Sequence, residues 1–345
     1  MVIRRNVEKI VTAKRYSSGR LWRIQLRRSR RPIIIASRRS QLARVQAEFI
    51  GAALKQLHPQ VTIEYLWLES EGDQFAEKSL ADSGGKGLFT KAIEKALIDG
   101  RADLAVHSLK DVPTRLTKGL TIAAIPARED ARDCLISRSG AASIDDLPRG
   151  AVLGTASPRR AAQAIRLRPD LKIELIRGNV QTRLRKVLEP VDLAAGGKHY
   201  DATFMAVSGL KRAGLIEHAN HILDPSVMLP AAGQGALALQ CRRDDHVTTM
   251  RVLPLNDSTT AQAVALERDI IDGLNGDCHS PIAACAEPML VEGMLTYRLR
   301  ARVISPDGQL MAEVDEKATG KAIRKLSRHV LEKLHEAGAA GMLRR

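Results

Sequence analysis

Apolar residues fall in short runs along the chain, and basic residues gather in the polar segments between them. Residues 33–35 are a β-branched run that reads as a strand. Ser37 can then cap a helix, with Arg38 and Arg39 in its first turn ahead of Leu42, Val45 and Phe49 at helical spacing. The pattern returns further on, where residues 151–154 read as a buried strand and Ser157-Pro158 opens a helix with Arg159 and Arg160 in its first turn. Two such strand–Ser–Arg–Arg–helix units predict two similar α/β domains. Between them, residues 61–68 read as a strand and 89–99 as a helix with Ile93, Ala96 and Leu97 inward, ended by Gly100. Strands are also expected at 104–106, 172–176 and 203–207. Beyond Asn256 the pattern changes to a helix over 261–274 with Ala265, Leu266 and Ile270 on one face. An alternating strand follows at 297–304, a Pro306-Asp307-Gly308 turn leads to a returning strand at 309–314, and Ile323, Leu326, Val330 and Leu334 give a closing helix.

The junctions carry the chemistry. A helix N-terminus bears partial positive charge, so Arg159 and Arg160 cost stability there unless an anion lies between them and the free N–H groups. Arg177-Gly178-Asn179 and Arg183 repeat the arrangement after the 172–176 strand, and Lys211-Arg212 follow the 203–207 strand. Arginines at the carboxyl ends of strands predict a polyanionic ligand, since open α/β sheets bind ligands at that edge. Ser108, Lys110 and Asp111 leave the 104–106 strand at the same kind of edge, with Val112 held extended by Pro113; a salt-bridged turn would account for them equally well. His107 reads as a hydrogen-bonded structural residue. The polar segment 69–87 reads as a lid carrying Lys86; it is not a P-loop, because Gly87 stands where the Mg²⁺-binding hydroxyl belongs. The G-x-G-x-x-A match at 233–238 is followed by a strand, which excludes a dinucleotide fingerprint. Cys278 sits among Gly, Asp, His and Ser, an exposed setting that invites chemistry.

Charge changes this picture less than its size suggests. Of the net +15, +10 lies in residues 1–31, which hold two lysines and nine arginines against one acid. The remainder is too weakly basic, and at 3% aromatic residues too poor in stacking platforms, for a nucleic-acid surface. The first 31 residues match an organellar transit peptide in composition, or are an unstructured tail. The four cysteines form no C-x-x-C pair, which favours a reducing compartment and argues against zinc. No apolar run reaches the ~20 residues of a membrane span.

Five segments in order, G-G-K-G-L-F (84–89), A-V-H-S-L-K-D-V-P (105–113), R-G-N-V-Q-T-R (177–183), V-S-G-L-K-R (207–212) and the cysteine loop before Pro281, closely resemble the porphobilinogen deaminase (hydroxymethylbilane synthase) family. The resemblance covers roughly residues 32–310. It implies an α/β fold with two periplasmic-binding-protein-like domains with mixed sheets plus a small third α+β domain. The expected boundaries are 32–126 with about 228–250, then 127–227, then 255–345 carrying the cysteine. It implies a transferase that condenses four porphobilinogen molecules head to tail, with loss of ammonia, to hydroxymethylbilane. Asp111 would be the catalytic carboxylate, aided by Lys110, and Cys278 would hold a dipyrromethane cofactor through a thioether. Arg38, Ser40, Lys86, Ser108, Thr155, Ser157, Arg159, Arg160, Arg177, Asn179, Arg183, Arg212 and Gln234 would bind the acetate and propionate groups of cofactor and substrate. No metal, nucleic acid or membrane is implied, and a cytoplasmic monomer is expected, or an organellar protein if residues 1–31 are a transit peptide.

Asp277 and Asp82 depart from the family pattern, and the 186–200 connection is longer than expected. The competing reading is a carboxylate-binding protein without catalysis, which would need neither Lys110-Asp111 nor Cys278. An RNA-binding role through residues 1–31 is a third.

Overall fold

The computed structural model describes residues 31–69, 90–190, 197–277 and 279–343. Its first elements are β1 (Ile33–Arg38), α1 (Gln41–Leu57), β2 (Ile63–Leu68), α2 (Lys91–Ile98), β3 (Leu104–Ser108) and β4 (Leu120–Ala124). Then come β5 (Asp133–Ser137), β6 (Val152–Gly154), α3 (Pro158–Leu167), β7 (Lys172–Glu174), α4 (Val180–Leu188), β8 (Ala202–Ala206), α5 (Val207–Ala213) and β9 (His221–Ile222). The chain ends with β10 (Leu237–Arg242), α6 (His246–Val252), α7 (Ser258–Gly273), β11 (Ile282–Val291), β12 (Met294–Ile304), β13 (Met311–Thr319), α8 (Ile323–Glu336) and α9 (Ala339–Met342). The fold is α/β, and the chain divides into two compact units, Met1–Arg128 with Ala236–Ala261, and Glu129–Gly235 with Gln262–Arg345.

Each unit contains a five-stranded mixed sheet of the same design. In the first the order is β2-β1-β3-β10-β4, with β1 parallel to β2 and β3, and β10 antiparallel to β3 and β4. In the second it is β7-β6-β8-β5-β9, with β6 parallel to β7 and β8, and β5 antiparallel to β8 and β9. The antiparallel insert in each sheet is the first strand after the chain passes from one unit to the other. Parallel strands covered on both faces need apolar residues throughout, and β1 and β3 supply them. Ile33, Ile35, Leu104 and Val106 pack with Ala47, Ile50 and Leu54 of α1, while Ala36 and Ala105 pack with Ile93, Ala96 and Leu97 of α2. Gly235, at φ +88°, lies where any side chain would meet the carbonyl of Glu129 at 2.3 Å. The close approach of backbone at this passage between units, with β10 next in the chain, accounts for Gly235, the second glycine of the stretch that mimics a dinucleotide motif.

The second unit also holds an antiparallel meander, β11-β12-β13, whose Tyr297, Leu299, Ala301 and Val303 pack against Leu266 and Ile270 of α7 and Leu326, Val330 and Leu334 of α8. Two expectations need correcting. Ser37 does not cap a helix; it belongs to β1, its Oγ donating toward the carbonyls of Ala43 and Val106, and the cap is Ser40. Arg38 therefore ends a strand instead of opening a helix. On α7 the inward face is Ala263, Leu266 and Ile270, and Ala265 is exposed. Among the described residues no helix is long and apolar enough to cross a membrane.

Candidate functional site

In the first unit, four of the expected residues line one pocket at the carboxyl ends of the parallel strands. Arg38 ends β1, Ser40 caps α1 by accepting from the Ala43 N–H at 3.4 Å, Ser108 ends β3, and Asp111 closes the short 3-10 turn Leu109–Asp111. Ser37, Gln46, Thr90 and His107 add to the polar lining. The Gln46 amide donates to Ser108 Oγ at 3.0 Å, which fixes the end of β3 against α1. Asp111 and Lys110 are exposed on the turn, and Lys110 does not line the pocket. The backbone of Val112 is extended, as the following proline requires.

His107 is buried, with Nε2 at 2.9 Å from Gln240 Oε1; the Gln240 amide donates to Glu94 at 3.0 Å, and Thr117 Oγ1 donates to the other Glu94 oxygen at 2.9 Å. Burial, reinforced by the Arg38 charge, pushes its pKa below the usual 6.5, although the Gln240 bond, Glu94 and Asp111 oppose the shift. The histidine is satisfied within a polar network, which agrees with its structural reading.

The second unit corrects the helix-start argument. Ser157 caps α3, accepting from the Arg160 N–H at 3.4 Å with Pro158 at the first helical position, and Thr155 Oγ1 accepts from the Ser157 N–H at 3.1 Å. Arg159 and Arg160, however, are 5% and 7% exposed, and the anion they require comes from the protein. Asp133, the fully buried first residue of β5, is ion-paired with Arg159 Nη2 and Arg160 Nη2, each at 2.7 Å, and accepts from the Gln234 amide at 2.9 Å. Arg159 Nη1 also donates to the Leu229 carbonyl at 2.6 Å, and Arg160 Nη1 to that of Phe204 at 2.9 Å. Burial opposes charge on Asp133, but the two guanidinium groups prevail and hold its carboxyl far below the usual range; burial also lowers the pKa of Arg159. Two cations share one carboxylate, so the cluster keeps a surplus positive charge. Gln234 is spent on Asp133 and on the Ala131 carbonyl at 2.7 Å.

The remaining basic junctions of this unit are more open. Arg177 follows β7, Asn179 caps α4 by accepting from the Thr182 N–H at 2.9 Å, and Arg183 in the first turn donates Nε to the Gly178 carbonyl at 2.9 Å. Arg212, near the end of α5, donates to the Gly235 carbonyl at 2.7 Å; burial lowers its pKa to about 10 against the pull of Glu129. Cys278, Lys86, Asp82 and the 84–89 segment lie outside the described residues. Beside Cys278, the Asp277 carboxylate accepts from the His279 N–H at 2.9 Å and from Ser280 Oγ at 3.1 Å, which gives that departure from the family pattern a role in shaping the loop.

Sequence reading missed Asp133. Its only signal is an acid directly ahead of the apolar run Cys134-Leu135-Ile136, which is weak by itself.

Two family models match the chain: "Porphobilinogen deaminase, dipyromethane cofactor binding domain" over residues 33–250 and "Porphobilinogen deaminase, C-terminal domain" over 261–336. A porphobilinogen deaminase from Chromobacterium violaceum is 43% identical over 311 residues, covering 90% of this chain and 96% of that protein. One from Sorangium cellulosum is 43% identical over 285 residues, covering 83% and 91%. Among solved structures, the VFT2 domain of Bordetella pertussis BvgS aligns with 73% of this chain and 100% of its own, at 14% identity and a TM-score of 0.41.

Proposed function

The chain belongs to the porphobilinogen deaminase family, and from that premise we propose how its own residues carry the reaction. It is a transferase that condenses porphobilinogen head to tail with loss of ammonia, four units giving hydroxymethylbilane, and it uses a dipyrromethane cofactor. Each pyrrole carries an acetate and a propionate, so cofactor and product are polycarboxylates. The residues present suit such a group. Arg38 borders the pocket of the first unit; in the second unit Arg177 precedes α4, Arg183 lies in its first turn, Arg212 lies near the end of α5, and a buried cluster carries surplus positive charge.

In this reading Arg38, Ser40 and Ser108 in the first unit, and Thr155, Ser157, Arg177, Asn179, Arg183 and Arg212 in the second, bind ring carboxylates, with Lys86 assisting. Bidentate guanidinium–carboxylate contacts give such binding direction as well as strength. Arg159 and Arg160 contribute chiefly field, because their donors are engaged by Asp133, Leu229 and Phe204; Gln234 holds Asp133 in place. Cys278 anchors the cofactor, which when bound offers the free pyrrole carbon to which the next unit is joined. Residues 255–345 form the third domain that bears this cysteine.

Asp111 is the catalytic carboxylate. Departure of ammonia leaves the substrate's methylene carbon electron-poor, with positive charge shared by the ring. A fixed carboxylate accepting a hydrogen bond from the pyrrole N–H stabilises that charge and assists proton transfer, and Lys110 on the same turn contributes to the local field. The observation that carries the reading is the convergence of Arg38, Ser40, Ser108 and Asp111 on one pocket. A binding protein would need no carboxylate beside its anion-holding cation. Asp111→Ala tests it: the protein should keep its circular dichroism spectrum and its cofactor while turnover of porphobilinogen falls roughly 10²–10⁴-fold. Turnover like that of the unaltered protein would sink the proposed role. Cys134, Cys241 and Cys285 are buried, and the absence of a C-x-x-C pair supports a reducing compartment such as the cytoplasm; a monomer is the proposed state.

A further inference from the structure

Strand β11 is an edge of the three-stranded sheet, paired on one side only, with β12. Alternate residues of such a strand turn their N–H groups away from the partner, and an edge left in that way requires cover. Here the cover is specific. The Ala284 N–H donates to the Pro230 carbonyl at 3.2 Å, and the Ala286 N–H donates to Glu267 Oε1 at 2.8 Å. The other oxygen of Glu267 accepts from the Gly233 N–H at 2.6 Å. Glu267 is fully buried, and a carboxylate in that position is unfavourable unless both oxygens are bonded.

Glu267 lies on α7, which leads into the loop 274–281, and β11 leads out of it. Both flanks of the loop are therefore bonded to residues 230–233. That short segment continues into the arginine cluster. The Leu229 carbonyl receives Arg159 Nη1 and, at 3.1 Å, the Gln163 amide; the Leu229 N–H donates to Gln163 Oε1 at 2.9 Å; and Gln234 donates to Asp133. One six-residue stretch joins the supports of the cysteine loop to the buried cations.

We propose that Glu267 is a positioning residue for chain growth, setting the loop that carries Cys278 at a fixed distance from the Arg159–Arg160–Asp133 cluster through residues 229–234. The inference rests on Cys278 as the attachment point. Among the described residues Glu267 acts on the backbone N–H groups of Gly233 and Ala286.

Glu267→Gln is nearly isosteric but turns an amide donor toward one of those two N–H groups, so one tie is lost. The variant should be produced as the full chain in a porphobilinogen-making host and compared with the unaltered protein by intact mass, steady-state kinetics and thermal unfolding. The expected result is a full cofactor adduct, kcat lowered roughly tenfold or more with little change in KM, and accumulation of partly extended chains on the enzyme. Glu267→Asp keeps the charge with a shorter reach; an intermediate loss is expected, and it serves if the glutamine variant does not fold. A folded, cofactor-bearing variant with unaltered kcat and intermediates would overturn the proposal, as would a loss of activity matching only the loss of folded protein. An unaltered protein without any adduct would overturn the Cys278 reading, and this inference with it. An adduct with normal elongation would overturn this inference alone.

Discussion

The two five-stranded sheets share strand order, an antiparallel insert and a serine-capped basic helix after the first parallel strand, yet they treat arginine in opposite ways. In the first, Arg38 ends β1 and borders an open pocket with Asp111. In the second, Arg159 and Arg160 sit within α3 and are buried on Asp133. Position relative to the capping serine decides the outcome: Arg38, two residues before Ser40, ends its strand at the sheet's carboxyl edge, whereas Arg159 and Arg160, two and three residues after Ser157, are buried in the first helical turn with an internal anion. The same local pattern thus yields a half-buried arginine lining a pocket once and a buried ion cluster once.

The comparison is tested hardest at Asp133. Asp133→Asn leaves two buried guanidinium groups without a counter-charge and should destabilise the protein by about 3–5 kcal/mol in denaturant unfolding, while Asp111→Ala leaves stability nearly unchanged. Equal effects on stability would erase the distinction. A smaller, graded effect follows from pH. The folded pKa of Asp133 is depressed below its unfolded value of 3.8, so its contribution is complete above that value and is lost as pH falls below it. Acid unfolding of the unaltered protein should steepen below about pH 4, and Asp133→Asn should flatten the curve there. The smallest effect concerns the shared feature: Ser40→Ala and Ser157→Ala each remove an N-cap and should each cost about 1 kcal/mol. A large difference between them would show that the two helix starts are less alike than their hydrogen bonds.

Much of the fold was legible because periodicity and caps are local. The parallel strands, the Ser157-Pro158 start and the amphipathic closing helix lie where the pattern places them. Strand β11 was not legible: its first residues, Ile-Ala-Ala-Cys-Ala, are buried and do not alternate, and Pro288 reads against a strand unless it is an edge strand. The site divides in the same way. Ser108 and Asp111 could be read from strand-end positions, whereas Arg38 was expected in a helix's first turn and instead ends β1. The partners Asp133 and Glu267 could not, because each is a single acid whose meaning comes from backbone and cations distant in sequence. The helix-dipole argument was sound in demanding an anion at Arg159 and Arg160; locating that anion inside the protein took the topology, which sets β5 between β8 and β9 in the second sheet.

The central claim, that this chain grows an oligopyrrole from Cys278, is tested most directly by intact mass before and after brief exposure to porphobilinogen. The account predicts that protein from a porphobilinogen-making host is heavier than the polypeptide by one dipyrromethane, gains further single-pyrrole increments on exposure, and loses all of this in Cys278→Ala. A mass equal to the polypeptide alone, or an adduct that persists in Cys278→Ala, would contradict it.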